Sequence, residues 1–162
     1  MDGKNLPLQM LLLRDAHLVK YQFLSVLEDF DLSPGKAAVL FILSKYGKLT
    51  QRQLAKAAGI TPPSMTVALR KMEEKGLVQK NPDPKDQRKV LIQLTDTGRE
   101  RIEDIKKLCR ETENAMFQNF SEEEKLLFRR FLLQIEENAM KSKEVNHDSF
   151  KEIMCRMYSP MG

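Results

Sequence analysis

Cysteine and histidine are scarce in this 162-residue chain, which holds only Cys109, Cys155, His17 and His147 of the two types. The cysteines lie far apart in no metal-ligand spacing, and neither histidine has a nearby ligand partner. This argues against a zinc site and a disulfide scaffold, and it fits a reduced compartment. No metal or cofactor is expected. No long uncharged apolar run occurs, so a membrane span is not expected. Leu11-Leu12-Leu13 is broken by Arg14 and Asp15, too soon for a secretory signal, and the expected location is the cytoplasm. Nucleophile–base pairing motifs, phosphate loops, internal repeats and low-complexity segments are also missing, so the chain does not read as an enzyme.

What is present is a core-forming composition with uneven charge. Hydrophobic residues make up 41% and charged residues 31%, enough for one ordinary domain that stays soluble. The net charge is +4, but residues 33–95 carry 12 Lys/Arg against 4 Asp/Glu, while both flanks are mildly acidic. A basic middle segment points to a polyanionic partner.

The periodicity gives the elements. Leu6, Met10, Leu13, His17, Tyr21, Leu24 and Leu27 predict a helix from about Asn5 to Phe30, and Leu11, Leu12 and Leu18 widen its apolar face. A helix apolar on more than one side needs more than one packing partner, and a second subunit is one way to supply it. Ser33-Pro34 reads as a cap followed by a first-turn proline, and that helix stops at Gly47. Thr50-Gln51-Arg52-Gln53 is a capping box for a short helix ending at Gly59. Thr61-Pro62 opens the next helix, with Met65, Leu69 and Met72 inward and a stop at Gly76. Leu77–Lys80 and an alternating run through Val90, Ile92 and Leu94 read as strands. Residues 81–88, rich in Pro, Asp and Asn, read as the loop between them. Thr95-Asp96 starts a long helix striped by Ile102, Ile105, Cys109, Met116 and Phe120. Ser121–Glu124 is a second capping box, opening a helix with Leu127, Phe128, Phe131, Leu132, Ile135 and Ala139 on one side.

Helix, turn, helix, strand, basic loop and strand, in that order, predict a mainly α winged helix-turn-helix with a two- or three-stranded wing. The expected organisation is an N-terminal dimerisation helix over 1–32, a DNA-binding domain over 33–95, C-terminal dimerisation helices over 96–141 and a tail over 142–162. A helix about 10–12 Å across fits the major groove, and cations on a wing reach phosphates or the minor groove. The alternative is a winged-helix adaptor that binds protein without specific DNA binding.

Several short pieces of this segment carry a family likeness. Leu49-Thr50, Leu54-Ala55, Gly59-Ile60, Met72-Glu73, Lys75-Gly76-Leu77-Val78, Asp83, Asp86-Gln87-Arg88, Leu94-Thr95 and Thr97-Gly98 together resemble the DNA-binding core of the MarR family. The long flanking helices extend the resemblance over nearly the whole chain short of the tail. The resemblance implies an obligate homodimer with intertwined first and last helices, a roughly palindromic double-stranded DNA operator, and a repressor released by a small aromatic or anionic effector. Redox-sensing members place a reactive cysteine in the first helix, and this first helix has none; Cys109 reads instead as a core residue.

Candidate DNA contacts follow. Met65, Leu69 and Met72 inward leave Ser64, Thr66, Val67 and Arg70 outward. The two hydroxyls bond bases or phosphates, and Arg70 donates to guanine or phosphate. Val67 stands where the family often has a long polar or basic side chain, and it offers a contact to a thymine methyl. Thr61, Pro63 and Ser64 mark the helix start, a phosphate seat. In the wing, Arg88 is the expected minor-groove residue. Asp86 is either its orienting partner, as the resemblance implies, or a turn-forming aspartate. Lys85, Lys89, Arg52 and Gln51 are phosphate candidates. His17, Tyr21 and Phe41 are candidates for the effector site.

Overall fold

The computed structural model describes residues 5–142 and Asn146. Most of the expected tail, with His147 and Cys155, lies outside the described residues.

Local capping chemistry starts most of the helices. The first, α1 (Leu8–Asp29), begins after Pro7, three residues later than the apolar periodicity suggests. Next, α2 (Pro34–Tyr46) has Ser33 at its N-cap and proline in its first turn, although the Ser33 hydroxyl makes no capping bond. A two-residue strand, β1 (Leu49–Thr50), leads into α3 (Gln51–Ala58), where Thr50 and Gln53 form the reciprocal capping box. Gly59, at φ 61°, closes α3 in the left-handed conformation that glycine adopts without a Cβ clash. Thr61 caps α4 (Pro62–Glu74) by accepting from the Ser64 amide. After the strands β2 (Val78–Asp83) and β3 (Asp86–Leu94) come α5 (Asp96–Met116), capped by Thr95, and α6 (Glu122–Met140), with the Ser121–Glu124 box.

The sheet is antiparallel in the order β1-β3-β2, so the wing has three strands. Leu49 pairs with Ile92, and Val78 with Leu94. The expected loop over 81–88 is a correction: β2 runs on to Asp83, β3 starts at Asp86, and only Pro84 and Lys85 turn. Pro82 pairs with Val90 because β2 is an edge strand, where a residue without an N–H is tolerated. The register slips between Pro82 and Asp83, and the Asp83 carboxylate accepts from the Lys85 amide to fix the turn.

One core holds these elements together. Leu27, Leu40, Ile42, Leu54, Met65, Leu69, Met72, Ile92, Ile102 and Ile105 are fully buried, and no polar side chain among the described residues is buried with them. The core uses only the C-terminal end of α1 and the first half of α5; past Cys109 the α5 stripe leaves it, and Met116 and Phe120 are exposed. No residue of α6 is buried. Leu126, Leu127, Phe128, Phe131, Leu132, Leu133 and Ile135 on α6 are exposed, as are Leu8, Met10, Leu12, Leu13 and Leu18 on α1. So much apolar surface on two helices is what a partner surface looks like.

The start of α5 is pressed against the root of the wing. The Thr95 amide donates to the Leu77 carbonyl at 3.2 Å, and the Thr95 hydroxyl donates to the Gly76 carbonyl. A Cβ on Gly98 would lie 2.1 Å from that Leu77 oxygen and 3.2 Å from Leu94 Cδ2. Gly98 is thus required by close approach. A glycine-to-alanine change inside a helix normally stabilises by about 0.5–1 kcal/mol. Here Gly98→Ala should instead destabilise by roughly 1–3 kcal/mol, the cost of overpacking, as read by urea unfolding. A stabilised variant would refute this packing.

Candidate nucleic-acid interface

The outward face of α4 is set by what its inward face buries. Met65, Leu69 and Met72 are all within 1% of full burial. Helical geometry then turns Pro63, Ser64, Val67 and Arg70 to solvent, and each is exposed. Val67 is 48% exposed, an aliphatic side chain left in water on this face. The Ser64 oxygen accepts from the Thr61 hydroxyl at 2.9 Å, leaving its own O–H free to donate outward. Arg70 is only loosely tethered, with Nε 3.8 Å from Glu74 in an exposed pair.

Two expected contact residues are engaged inside the protein. Gln51 Nε2 donates to Thr66 Oγ1 at 2.7 Å, and that hydroxyl donates onward to the Pro62 carbonyl at 3.0 Å. This bond ties the first turn of α3 to the second turn of α4, so Gln51 and Thr66 act as positioning residues. Thr66 keeps one acceptor position for a ligand, less than the sequence suggested. Arg52, beside Gln51, is exposed.

The far end of α4 is held by two ion pairs. Lys80 of β2 meets Glu73 at 2.7 Å. Lys75 pairs with the carboxylate of Asp31, in the turn between α1 and α2, and also donates to the Asp31 carbonyl at 3.3 Å. Asp31 sits at φ 52°, a left-handed conformation that aspartate tolerates better than most residues. The Lys75 ammonium, by hydrogen bond and by charge, holds the Asp31 carboxyl below its ordinary 3.8.

The wing carries Lys85 at its turn and Arg88 and Lys89 on β3, all exposed. Asp86 accepts from the Arg88 backbone amide at 3.2 Å and pairs with Lys89 at 3.3 Å. Its carboxylate therefore shapes the turn and restrains Lys89. The Arg88 guanidinium makes no ion pair among the described residues, so of the two readings of Asp86 the turn-forming one describes the free chain. Arg88 shares a face of β3 with Val90, Ile92 and Leu94 by strand alternation. Ile92 and Leu94 are buried while Val90 is 51% exposed, so this face runs off the core before it reaches Arg88.

The expected effector residues do not converge within one chain. Phe41 is buried in the core, whereas Tyr21 is 72% exposed and His17 is exposed on α1. Cys109 is half-buried, and burial together with the Glu113 charge raises its thiol pKa, which disfavours a reactive thiolate. A cleft of about 610 Å³ does open beside α4, lined among others by Gly35, Lys36, Ile60, Ser64, Val67 and Lys71. Lys36 and Lys71 were missed from sequence. Their only signal there was membership of the basic middle segment, since they meet across the fold and not along the chain.

A helix pair held by a glycine turn, with an exposed second helix and a cationic antiparallel hairpin beside it, defines a winged helix-turn-helix protein. The MarR family's sequence model matches residues 32–90. YdgJ, an uncharacterized HTH-type transcriptional regulator of Bacillus subtilis, is 35% identical over 96 residues, 59% of this chain and 58% of its own length. The B. subtilis HTH-type transcriptional repressor YetL is 32% identical over 103 residues, 62% of each. The chain thus spans about three fifths of the length of these two relatives. A mutant of S. aureus MepR superposes with a TM-score of 0.77 at 27% identity, covering 83% of this chain and 99% of that one. A second MepR mutant, solved bound to an oligodeoxyribonucleotide, gives 0.69 at 26% identity over the same shares. The chain is thus similar to the MarR family of HTH-type transcriptional regulators, over residues 32–90 by the family model and over most of its length by fold.

The Asp31–Lys75 tether carries a pH signature. Because the folded carboxyl titrates below its unfolded value, its contribution is fully present above that value and is lost as pH falls through the folded one. Asn tolerates the same backbone at position 31. The stability gap between the parent and Asp31→Asn should be widest near neutral pH and shrink as pH drops below 3.8, measured by denaturant unfolding. A gap independent of pH would contradict the pairing.

Proposed function

We propose that this chain is a sequence-specific double-stranded DNA-binding regulator. It works as a homodimer in the cytoplasm, represses transcription, and is released by a small aromatic or anionic effector. The observation that carries the reading is the pair of exposed cations at the two reading elements: Arg70 on the solvent face of α4, held only by a loose exposed pair with Glu74, and Arg88 beyond the core on the wing. The oligonucleotide bound to the MepR relative and the repressor name of YetL support the same reading.

In the proposed complex α4 enters the major groove. Arg70 and Ser64 meet base edges, Val67 packs on a thymine methyl, and Arg88 enters the neighbouring minor groove. Lys85, Lys89 and Arg52 neutralise phosphates. The dimer sets two α4 helices about one DNA turn apart, ~34 Å, to read a roughly palindromic site. Its interface is the apolar surface of α1 and α6, and the effector binds between these helices and the DNA-binding lobes, near His17, Tyr21 and Phe41. Effector binding changes the spacing of the two α4 helices, and so acts through differential affinity for two arrangements.

The test is selection of bound duplexes from a random pool. Arg70→Ala should relax base preference at one position per half-site by about 1–3 kcal/mol. Arg88→Ala should weaken all duplexes alike more than it changes selectivity. Unchanged affinity and selectivity in both variants would refute the assignments, and no salt-dependent duplex binding by the parent would favour a protein-binding adaptor. For the dimer, Phe131→Glu places a charge in the apolar α6 face and should yield monomers by light scattering. A dimer of unchanged strength would remove α6 from the interface.

A further inference from the structure

The cleft between the start of α2 and the flank of α4 has a distinct chemistry. Its lining is mostly apolar, with Gly35, Ile60, Pro63, Val67 and Ala68 alongside Ser33 and Ser64. Lys36, from the first turn of α2, and Lys71, from the third turn of α4, supply its two cations. Neither lysine makes an ion pair among the described residues. The acid that feels both charges, Asp31, is already engaged by Lys75. The cleft is also continuous with the reading face of α4, since Ser64 and Val67 belong to both.

Gly35 keeps this cleft narrow at its base. A Cβ there would lie 3.2 Å from Ile60 Cδ1, so the first turn of α2 runs close over the turn between α3 and α4. The ammonium-bearing turn of α2 thereby lies close to the start of the recognition helix.

Resting on the proposed DNA-binding reading and extending it, we propose that this cleft is a clamp for one sugar–phosphate strand of the bound duplex. Lys36 and Lys71 each neutralise a phosphate, and the apolar lining set back from the base-reading Val67 (Gly35, Ile60, Pro63 and Ala68) meets the deoxyribose carbons between them. A nucleic-acid strand has this alternation: charged phosphates spaced by largely apolar sugar faces. The clamp carries no base information and sets how α4 sits in the groove. Lys36 and Lys71 are positioning residues for DNA reading, beyond the helix and wing contacts.

The experiment measures duplex affinity of the full-length chain against salt, on a selected site and on a scrambled duplex, for the parent, Lys36→Ala, Lys71→Ala and Lys36→Arg. Losing one phosphate contact per protomer removes two per dimer, lowering the slope of log K on log salt by about 1.8 for each alanine variant. The parent's advantage over either variant should therefore shrink by about tenfold between 50 and 200 mM salt, equally on both duplexes. Lys36→Arg should restore the parental slope. Thermal unfolding should be nearly unchanged, because Lys71 is exposed, Lys36 is only partly covered, and neither makes an ion pair among the described residues. If the parent binds duplex steeply with salt and the alanine variants keep its slope, the clamp is wrong and the reading of α4 and the wing stands. A loss confined to the selected site would also overturn it, by making the lysines base readers. If the parent binds no duplex, the DNA-binding reading itself fails.

Discussion

The burial of three side chains governs the functional surface. Met65, Leu69 and Met72 form a single stripe on α4, and the core takes all of it. Once that stripe is inserted, the rotation of α4 about its axis is fixed, and with it the residues that face solvent. Everything else at the site refines this constraint. The Thr61 cap sets where the helix begins, and the Gln51–Thr66 bond sets its angle to α3. Lys80–Glu73 and Lys75–Asp31 hold the opposite end. Exposed ion pairs of this kind contribute little individually, so the apolar stripe carries the energy and the polar contacts select among nearby orientations.

Much of the fold was legible because it is encoded locally. Capping residues at Thr50, Thr61, Thr95 and Ser121 act within one helical turn, and each makes the bond its sequence context implies. The buried stripes of α4 and early α5 follow from periodicity alone. The wing was misread in extent because Pro82, Pro84, Asp83 and Asp86 look like a continuous loop. An edge strand tolerates such residues, and whether a strand lies at an edge is decided by sheet topology. Ser33 occupies a cap position without making the bond. At the site, Ser64, Val67 and Arg70 were legible as an outward face. The inward commitment of Gln51 and Thr66 was not, because their bond joins two helices fifteen positions apart. Lys36 and Lys71 were invisible for the same reason.

The chain also separates its core from its exposed apolar surface. The residues buried in the core span Val26 to Ile105 and need neither the first half of α1 nor any residue of α6. The outer helices keep their shape through helix-internal bonds and caps, with ring contacts of Phe117 to Phe120 and Phe128 at 5.7 and 5.9 Å bracing the turn from α5 to α6. Their apolar residues are free to be matched to a partner without disturbing the reading module, which is why the two parts of the sequence carry such different surface chemistry.

The tight seat of Gly98 on the Leu77 carbonyl gives α5 a mechanical role. Only Lys75, Gly76 and Leu77 separate the last turn of α4 from β2, and α5 is wedged against that same junction. Contacts between backbone and backbone do not yield the way side chains do, so the junction works as a stiff fulcrum. A 21-residue helix is roughly 30 Å long, and tilting it by about 5° sweeps its far end through roughly 2.6 Å. The absence of a Cβ at one glycine thus lets the N-terminal turn of the long α5 sit directly on the short link between α4 and β2.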